Sequence, residues 1–354
     1  MRDFAENKPT LASTLREGAR VMIRRRLSPD EIAAAAGTLD AVKTLTDAVG
    51  TVRSLDEGTV VLRTRRGDVH VARADIVTAK ALGPRPGRRG APHRAVSVED
   101  LEGLMVEGWP PHEREWLGRW MLRAADRYTG RANSALVLGE PGMSTDDALT
   151  AVRRWYDARS LPPMLQVPLA PGFSAEDDPL VRDAAILGWE AITPVRVMTA
   201  ASAEVAMTGG SGHAAQHDGD GVASARLTVT DEPSDAWWGL VDERARSHED
   251  AARRIMTGSI GQRFLMLSDG AGPLAHARLA LSPGWAGLFV LATRPDVRRR
   301  GLARRLVQAC GEEALRAQAP SMYLQVAADN SAAIALYESL GFTTHHTYVY
   351  LRRA

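Results

Sequence analysis

Residues 288–303, LFVLATRPDVRRRGLA, hold the groups best suited to chemistry. An apolar run stops at Pro295, a loop bearing Arg298, Arg299, Arg300 and Gly301 follows, and Leu302, Leu306, Val307 and Cys310 then recur at helical spacing. Free backbone N–H groups at a helix start, reinforced by the positive end of the helix dipole, receive anions, and glycine lets a ligand approach the backbone closely. The expected ligand of such a turn is a pyrophosphate. A generic basic strand-to-helix turn shares these features, so the downstream sequence decides between them. There a strand over 322–326 leads into residues 330–342, NSAAIALYESLGF. Tyr337 in that segment is either an aromatic packed on a helix face or a proton donor with an ordinary pKa near 10.

The elements that must position these groups are a strand over 288–293, the loop, a helix over 302–318 and the strand 322–326. An upstream stretch reads as the same unit: strand 135–138, loop, helix 145–158, strand 164–167. Leu165-Gln166-Val167 matches Leu324-Gln325-Val326, Pro141 matches Pro295, and Leu187-Gly188-Trp189 matches Leu340-Gly341-Phe342. A divergent duplication explains the pattern. The first copy departs where it matters, because its loop 138–147, LGEPGMSTDD, is acidic and would set carboxylates against a diphosphate. It reads as a degenerate copy, 99–204, beside a competent one, 225–354. Trp109, Trp116, Trp120, Trp155 and Tyr156 read as core, as do Trp237 and Trp238, for which the alternative is a substrate pocket lining. The polar run 127–134, RYTGRANS, joins two strands and suggests only an interdomain surface.

Ahead of both copies, residues 18–82 alternate in short β-branched strands broken by turns, at 20–27, 48–55, 59–64, 68–72 and 75–79, as in a small SH3-like barrel. Arg24, Arg25, Arg26, Arg63, Arg65 and Arg66 form either a solvated strand face or a nucleic-acid face; without stacking aromatics the former is expected. Residues 1–17 read as a tail, 83–98 as a Pro/Gly/Arg linker, and 205–224 as a second, Gly-rich linker. His213, His217, Asp218 and Asp220 in the latter lack the support that orients metal ligands, so no metal is expected.

Composition agrees with ordinary globular folding over two or three domains: 354 residues, 45% hydrophobic, 25% charged. A net charge of +1 gives no field demanding nucleic acid or an anionic membrane. The single cysteine, Cys310, excludes an intramolecular disulfide and reads as a core residue. The first residues lack the apolar segment of a signal peptide, and no stretch approaches a membrane span, so the expected location is the cytoplasm.

Taken together, the motifs resemble the GNAT superfamily of N-acetyltransferases. Arg298, Gly301 and Ala303 match its Gln/Arg-x-x-Gly-x-Gly/Ala loop, and Asn330, Ala333, Leu336, Tyr337, Gly341 and Phe342 match its second motif. The resemblance covers residues 225–354, and the whole arrangement is similar to the actinobacterial histone-acetyltransferase-like type. It implies an α/β (α+β) GNAT fold with tandem acetyltransferase-like domains, and acetyl-CoA as the acetyl donor. Leu291, Ala292 and Thr293 would meet the pantetheine arm and polarise the thioester carbonyl. Arg299, Arg300, Gly301, Leu302, Ala303 and Arg304, with Arg298 leading the loop, would hold the pyrophosphate, and Asn330 and Ala333 would border the cofactor arm. Tyr337 would protonate the leaving thiolate. The acceptor would be a primary amine, on a small molecule or a protein lysine, and the rival reading is a non-catalytic acyl-CoA sensor. Strand 288–293 carries no acid to serve as base, which leaves His276, Asp242 or Glu243.

Overall fold

The computed structural model describes residues 14–28, 31, 45–64, 67–82, 90–207 and 225–353, which fall in two compact units divided after Pro84. Period-two alternation builds the first: β1 (Arg20–Arg26), β2 (Leu45–Leu55), β3 (Thr59–Thr64), β4 (Gly67–Ala72) and, after a single 3-10 turn, β5 (Ile76–Ala81). All neighbours are antiparallel in the order β4-β3-β2-β1-β5, with Val21, Ile23, Val52, Val60, Leu62 and Val71 inside. Gly50 is needed because a Cβ would lie 2.6 Å from the Arg63 carbonyl oxygen. Thr14 and Leu15 are buried, so part of the expected tail belongs to this unit. Arg24 pairs with Asp47 at 2.8 Å and Arg25 with Glu31 at 2.5 Å, which balances much of the expected basic face. Arg65 and Arg66 lie outside the described residues.

The second unit rests on one 11-stranded sheet. Its first half runs α1 (Pro92–Ala95), α2 (Val98–Gly108), β6 (Glu113–Leu117), β7 (Trp120–Ala124), β8 (Ala135–Val137), α3 (Thr145–Asp157), β9 (Met164–Leu169), α4 (Pro179–Ile186), β10 (Trp189–Ala201) and α5 (Ser202–Met207). The second half runs β11 (Arg226–Thr230), α6 (Asp235–Trp238), α7 (Glu243–Ser247), α8 (Glu249–Thr257), β12 (Gly261–Asp269), β13 (Gly272–Ser282), β14 (Trp285–Thr293), α9 (Leu302–Arg316), β15 (Ser321–Ala327), α10 (Ser331–Glu338) and β16 (Thr343–Arg353). In each half an antiparallel hairpin leads through a helical crossover to a parallel neighbour, β8 to β9 and β14 to β15, then to a helix and a closing strand. Gly188 and Gly341 end the matching helices at φ 80° and 89°, a left-handed conformation that suits glycine.

The closing strands are exchanged. Sheet order is β11-β12-β13-β14-β15-β10-β16-β9-β8-β7-β6, so β10 of the first half pairs with β15 of the second, and β16 returns to pair with β9. The cores follow: Met198 and Ala200 of β10 pack with α9, whereas Val349 and Leu351 of β16 pack with α3 and β9. Stretches 99–204 and 225–354 therefore do not separate in space, although a linker was expected between them. Residues 208–224, with His213, His217, Asp218 and Asp220, lie outside the described residues. Nor are residues 92–98 linker, since α1 is fixed by the Thr199 hydroxyl donating to the His93 carbonyl at 2.7 Å. Trp109, Trp120, Tyr156, Trp237 and Trp238 are buried as expected, but Trp116 is 48% exposed on the edge strand β6. Among the described residues, no helix is long and apolar enough to cross a membrane.

Candidate functional site

β14 and β15 are hydrogen-bonded only from Trp285 opposite Ser321 to Leu288 opposite Leu324, and beyond that step both strands run on unpaired to each other. The parting coincides with a bulge. Arg278 of β13 pairs with Phe289 and His276 with Ala292, leaving Val290 and Leu291 opposite Ala277 alone. Val290 has φ 52°, which a β-branched residue adopts only where its surroundings impose it. As a result Phe289 and Val290 both turn to the face of the sheet lined by Trp109 and Tyr323, and Leu291 returns to the α9 face. Peptide groups on the opened edge of β14 have no strand partner and can meet a carbonyl oxygen.

Past Thr293 a 3-10 turn, Pro295–Val297, and left-handed Arg299 and Gly301, at φ 65° and 79°, swing the chain into α9. α9 has no side-chain cap, so its leading N–H groups lack both intrahelical and capping partners. A Cβ on Gly301 would meet nothing within 4 Å: φ rather than crowding calls for glycine, and the space beside the helix start is open. Arg298 Nε donates to the Thr293 carbonyl at 3.3 Å, and Arg304 Nη2 to Ser339 Oγ at 2.6 Å, tying the loop to β14 and α9 to α10. Arg299 and Arg300 remain exposed, as does Ala292, while Leu291, Thr293, Ala303 and Ala333 are half-buried and Leu302 is buried.

Two expected residues are more constrained than the sequence suggested. Asn330 caps α10, its Oδ1 accepting from the Ala333 N–H at 3.1 Å, which fixes the side chain and leaves its amide N–H groups for a ligand. Tyr337 is 8% exposed, edge-on to Phe342 at 5.9 Å and in one core with Cys310; burial pushes its pKa up to about 12. A phenol in that state stays protonated across the neutral range. Cys310 is fully buried, and burial pushes its thiol up as well.

The base candidates fare worse. His276 is fully buried under Trp237, at 4.5 Å between ring centroids, and burial depresses its pKa to about 4 against the weaker opposing pull of the Trp237 backbone and the Asp242 charge. Asp242 is spent as the cap of α7, accepting from the Ala245 N–H at 2.8 Å, and Glu243 lies in solvent beside Arg246. What the sequence reading missed lies on the face opposite α9. Arg131, Gln325, Tyr348 and Tyr350 gather beside the bulge: Tyr348 donates to Gln325 Oε1 at 2.9 Å, and Gly130 abuts the Tyr350 ring. The run 127–134 was the one available signal.

In the first half, β8 and β9 pair over two residues, and a cavity of about 330 Å³ opens between their ends, lined by Val137, Leu138, Val167 and Pro168 with Glu99 and Asp178 at its border. Its helix start is closed: the Ser144 hydroxyl accepts from the Asp147 N–H at 3.2 Å, and Asp146 and Asp147 fill the first turn of α3.

The family model described as "Probable histone acetyltransferase Rv0428c C-terminal" matches residues 96–351. Over 314 residues the chain is 28% identical to the probable histone acetyltransferase Rv0428c of Mycobacterium tuberculosis, covering 87% of this chain and 89% of that one. Over 120 residues it is 37% identical to the ribosomal protein bS18 alanine N-acetyltransferase of Salmonella typhimurium, 33% of this chain and 77% of that one. A solved structure of a functionally unknown conserved protein from Staphylococcus epidermidis superposes with TM-score 0.50 at 8% identity, over 69% of this chain and 94% of that one. The family match spans both halves of the exchanged sheet, and the chain belongs to this family of GNAT N-acetyltransferases.

Proposed function

We propose that the second half binds acetyl-CoA and passes its acetyl group to a primary amine by direct attack. The observation that carries this reading is the juxtaposition of an uncapped, arginine-flanked helix start at Gly301 with the opened, bulged edge of β14. The former suits a diphosphate and the latter the thioester carbonyl of the same extended ligand. As the amine attacks, negative charge grows on that oxygen, and the unpaired peptide groups after Leu288 stabilise it. The amine nitrogen gives up its proton to water, because His276 is sealed and Asp242 is committed elsewhere. Tyr337 then protonates the departing thiolate. Its raised pKa makes it a weak acid but keeps the proton in place at working pH.

The test is a turnover screen: the full chain, acetyl-CoA, and a panel of small amines and lysine peptides, read by release of free thiol. Acetyl transfer to at least one class of amine is expected. Tight acetyl-CoA binding with no transfer to any amine or peptide would favour the sensor instead.

A further inference from the structure

The strand-joining run 127–134 is held in a costly conformation directly beside the bulge. Asp126, Arg127 and Thr129 have φ values of 46°, 64° and 74°, strained for residues other than glycine. Hydrogen bonds impose them. The buried Asn133 side chain accepts from the N–H groups of Ala125 at 2.8 Å and Arg127 at 3.3 Å and donates to the Thr129 carbonyl at 2.9 Å. The Trp109 indole donates to the Thr129 hydroxyl at 3.0 Å. What this loop presents is Arg131, whose guanidinium lies 5.5 Å from the Trp109 ring centroid and 5.3 Å from that of Phe289, the residue before Val290.

A second guanidinium, Arg278, lies 5.4 Å from the same Phe289 ring, but each of its nitrogens donates a hydrogen bond, to the carbonyls of Met256 and Gly108 and the Ser259 hydroxyl. Arg131 has no such arrangement. Its Nε is buried without a hydrogen-bond partner, and it forms no ion pair with a carboxylate among the described residues. The nearby acids are engaged: Glu107 with Arg114, and Asp242 as a helix cap. The fully buried Tyr323 hydroxyl on the same face also lacks a partner, and the charge of Arg131 acts on Tyr128, Tyr323 and Tyr348. Arg244 approaches from α7 to donate to the Arg127 carbonyl at 3.5 Å. The charges of Asp242, Glu107 and Glu102 also act on these phenols, but each of these acids is held by partners of its own, and none forms an ion pair with Arg131. The buried Arg131 Nε is thus left with a donor that an incoming anion could take up.

We propose that Arg131 receives a carboxylate of the acceptor, so that the amine acetylated here belongs to a small amino acid-like molecule rather than to a lysine in a basic peptide. This rests on the second half being the acetyl-transfer site. A lysine-rich segment would bring further positive charge to a face that already holds unpaired guanidinium charge, whereas a carboxylate gains a charge-assisted hydrogen bond there.

Two measurements on the full chain decide it. In the first, thiol release is followed with glycine, β-alanine, 4-aminobutyrate and glutamate, each against its carboxamide, and with a lysine-rich peptide. At least one acid should exceed its amide and the peptide. Arg131→Gln should raise the KM of that acid roughly 10- to 100-fold, leaving the amide and acetyl-CoA affinity unchanged, and Arg131→Lys should restore part of the loss. In the second, which needs no turnover, succinate and its dimethyl ester are titrated calorimetrically into the CoA-loaded protein; succinate alone should bind, and Arg131→Gln should abolish it. Amides or peptide preferred over acids, an equal effect of Arg131→Gln on acid and amide, or no succinate binding by a protein that binds CoA normally overturns the proposal. Failure to bind CoA at all would instead sink the underlying reading of the site.

Discussion

The two halves of the large unit share a frame and differ in how they treat the start of the crossover helix. In the second half Gly301 leads into α9 with no side-chain cap and arginines on either side. In the first, Ser144 caps α3 and Asp146 and Asp147 take up the positive end of its dipole. The same physical opportunity, unpaired N–H groups at a helix N-terminus, is taken up by a side-chain cap in one half and left without one in the other. The strands differ in parallel. β14 carries the Val290 bulge, and among the described residues β8 has no counterpart at positive φ within its span.

The largest effect is expected when the halves are cut apart. Residues 225–354 expressed alone lose β10, which leaves the inner edge of β15 unpaired and removes Met198, Ala200 and Val205 from the core around α9. That fragment should fail to give a cooperative urea transition, and adding residues 85–207 as a separate chain should restore one. A fragment that folds alone would mean the exchanged strand is dispensable.

Within the intact chain, Tyr337→Phe sharpens the assignment of chemistry to the second half. The ring still packs on Phe342, so acetyl-CoA affinity should hold while kcat falls about 10²- to 10⁴-fold. An unchanged rate with chemistry limiting would make Tyr337 purely structural.

The halves also bury polar groups differently. Arg123, Gln166 and Glu102 of the first form a partnered chain that His346 of the returning strand β16 completes, whereas His276 of the second is buried with no side-chain hydrogen-bond partner. With its folded pKa depressed to about 4, His276 is neutral in the native state, and the unfolded chain takes up the proton first as pH falls. Stability should therefore drop between about pH 6.5 and 4, by up to roughly 3 kcal/mol, and change no further through this group below that. Urea titrations of His276→Leu should show a shallower fall over that window. Equal slopes in both proteins would mean the imidazole is protonated in place.

Smallest is the cap itself: Ser144→Ala should cost about 1 kcal/mol of stability and leave acetyl-CoA affinity untouched.

How much of this was legible followed the range of the interactions. The strand-to-helix turn is local: Pro295 and Gly301 act within one loop, and the strand, turn and helix over 285–316 follow one another in the order that the sequence suggested, whereas the anion that we propose for this turn is a matter for experiment. The duplication was legible as well, since Leu165-Gln166-Val167 and Leu324-Gln325-Val326 are short-range matches that fall on equivalent strands. Strand exchange was not, because alternation marks a strand without naming its neighbour, and β10 pairs as readily with β15 as with β9. The Val290 bulge was hidden by a β-branched residue that reads as plain strand. Arg131 reaches Phe289 from far upstream in the chain, through a loop whose sequence showed only that it was polar.

The central claim, one acetyl-CoA site in the second half, is tested most directly by calorimetric titration of acetyl-CoA into the full chain and into Gly301→Glu. A glutamate there strains the left-handed turn and puts a carboxylate into the open space beside the start of α9. One site per chain is expected, with affinity reduced beyond detection in Gly301→Glu while circular dichroism stays native. Two sites, or one site whose affinity survives the substitution, would contradict the claim.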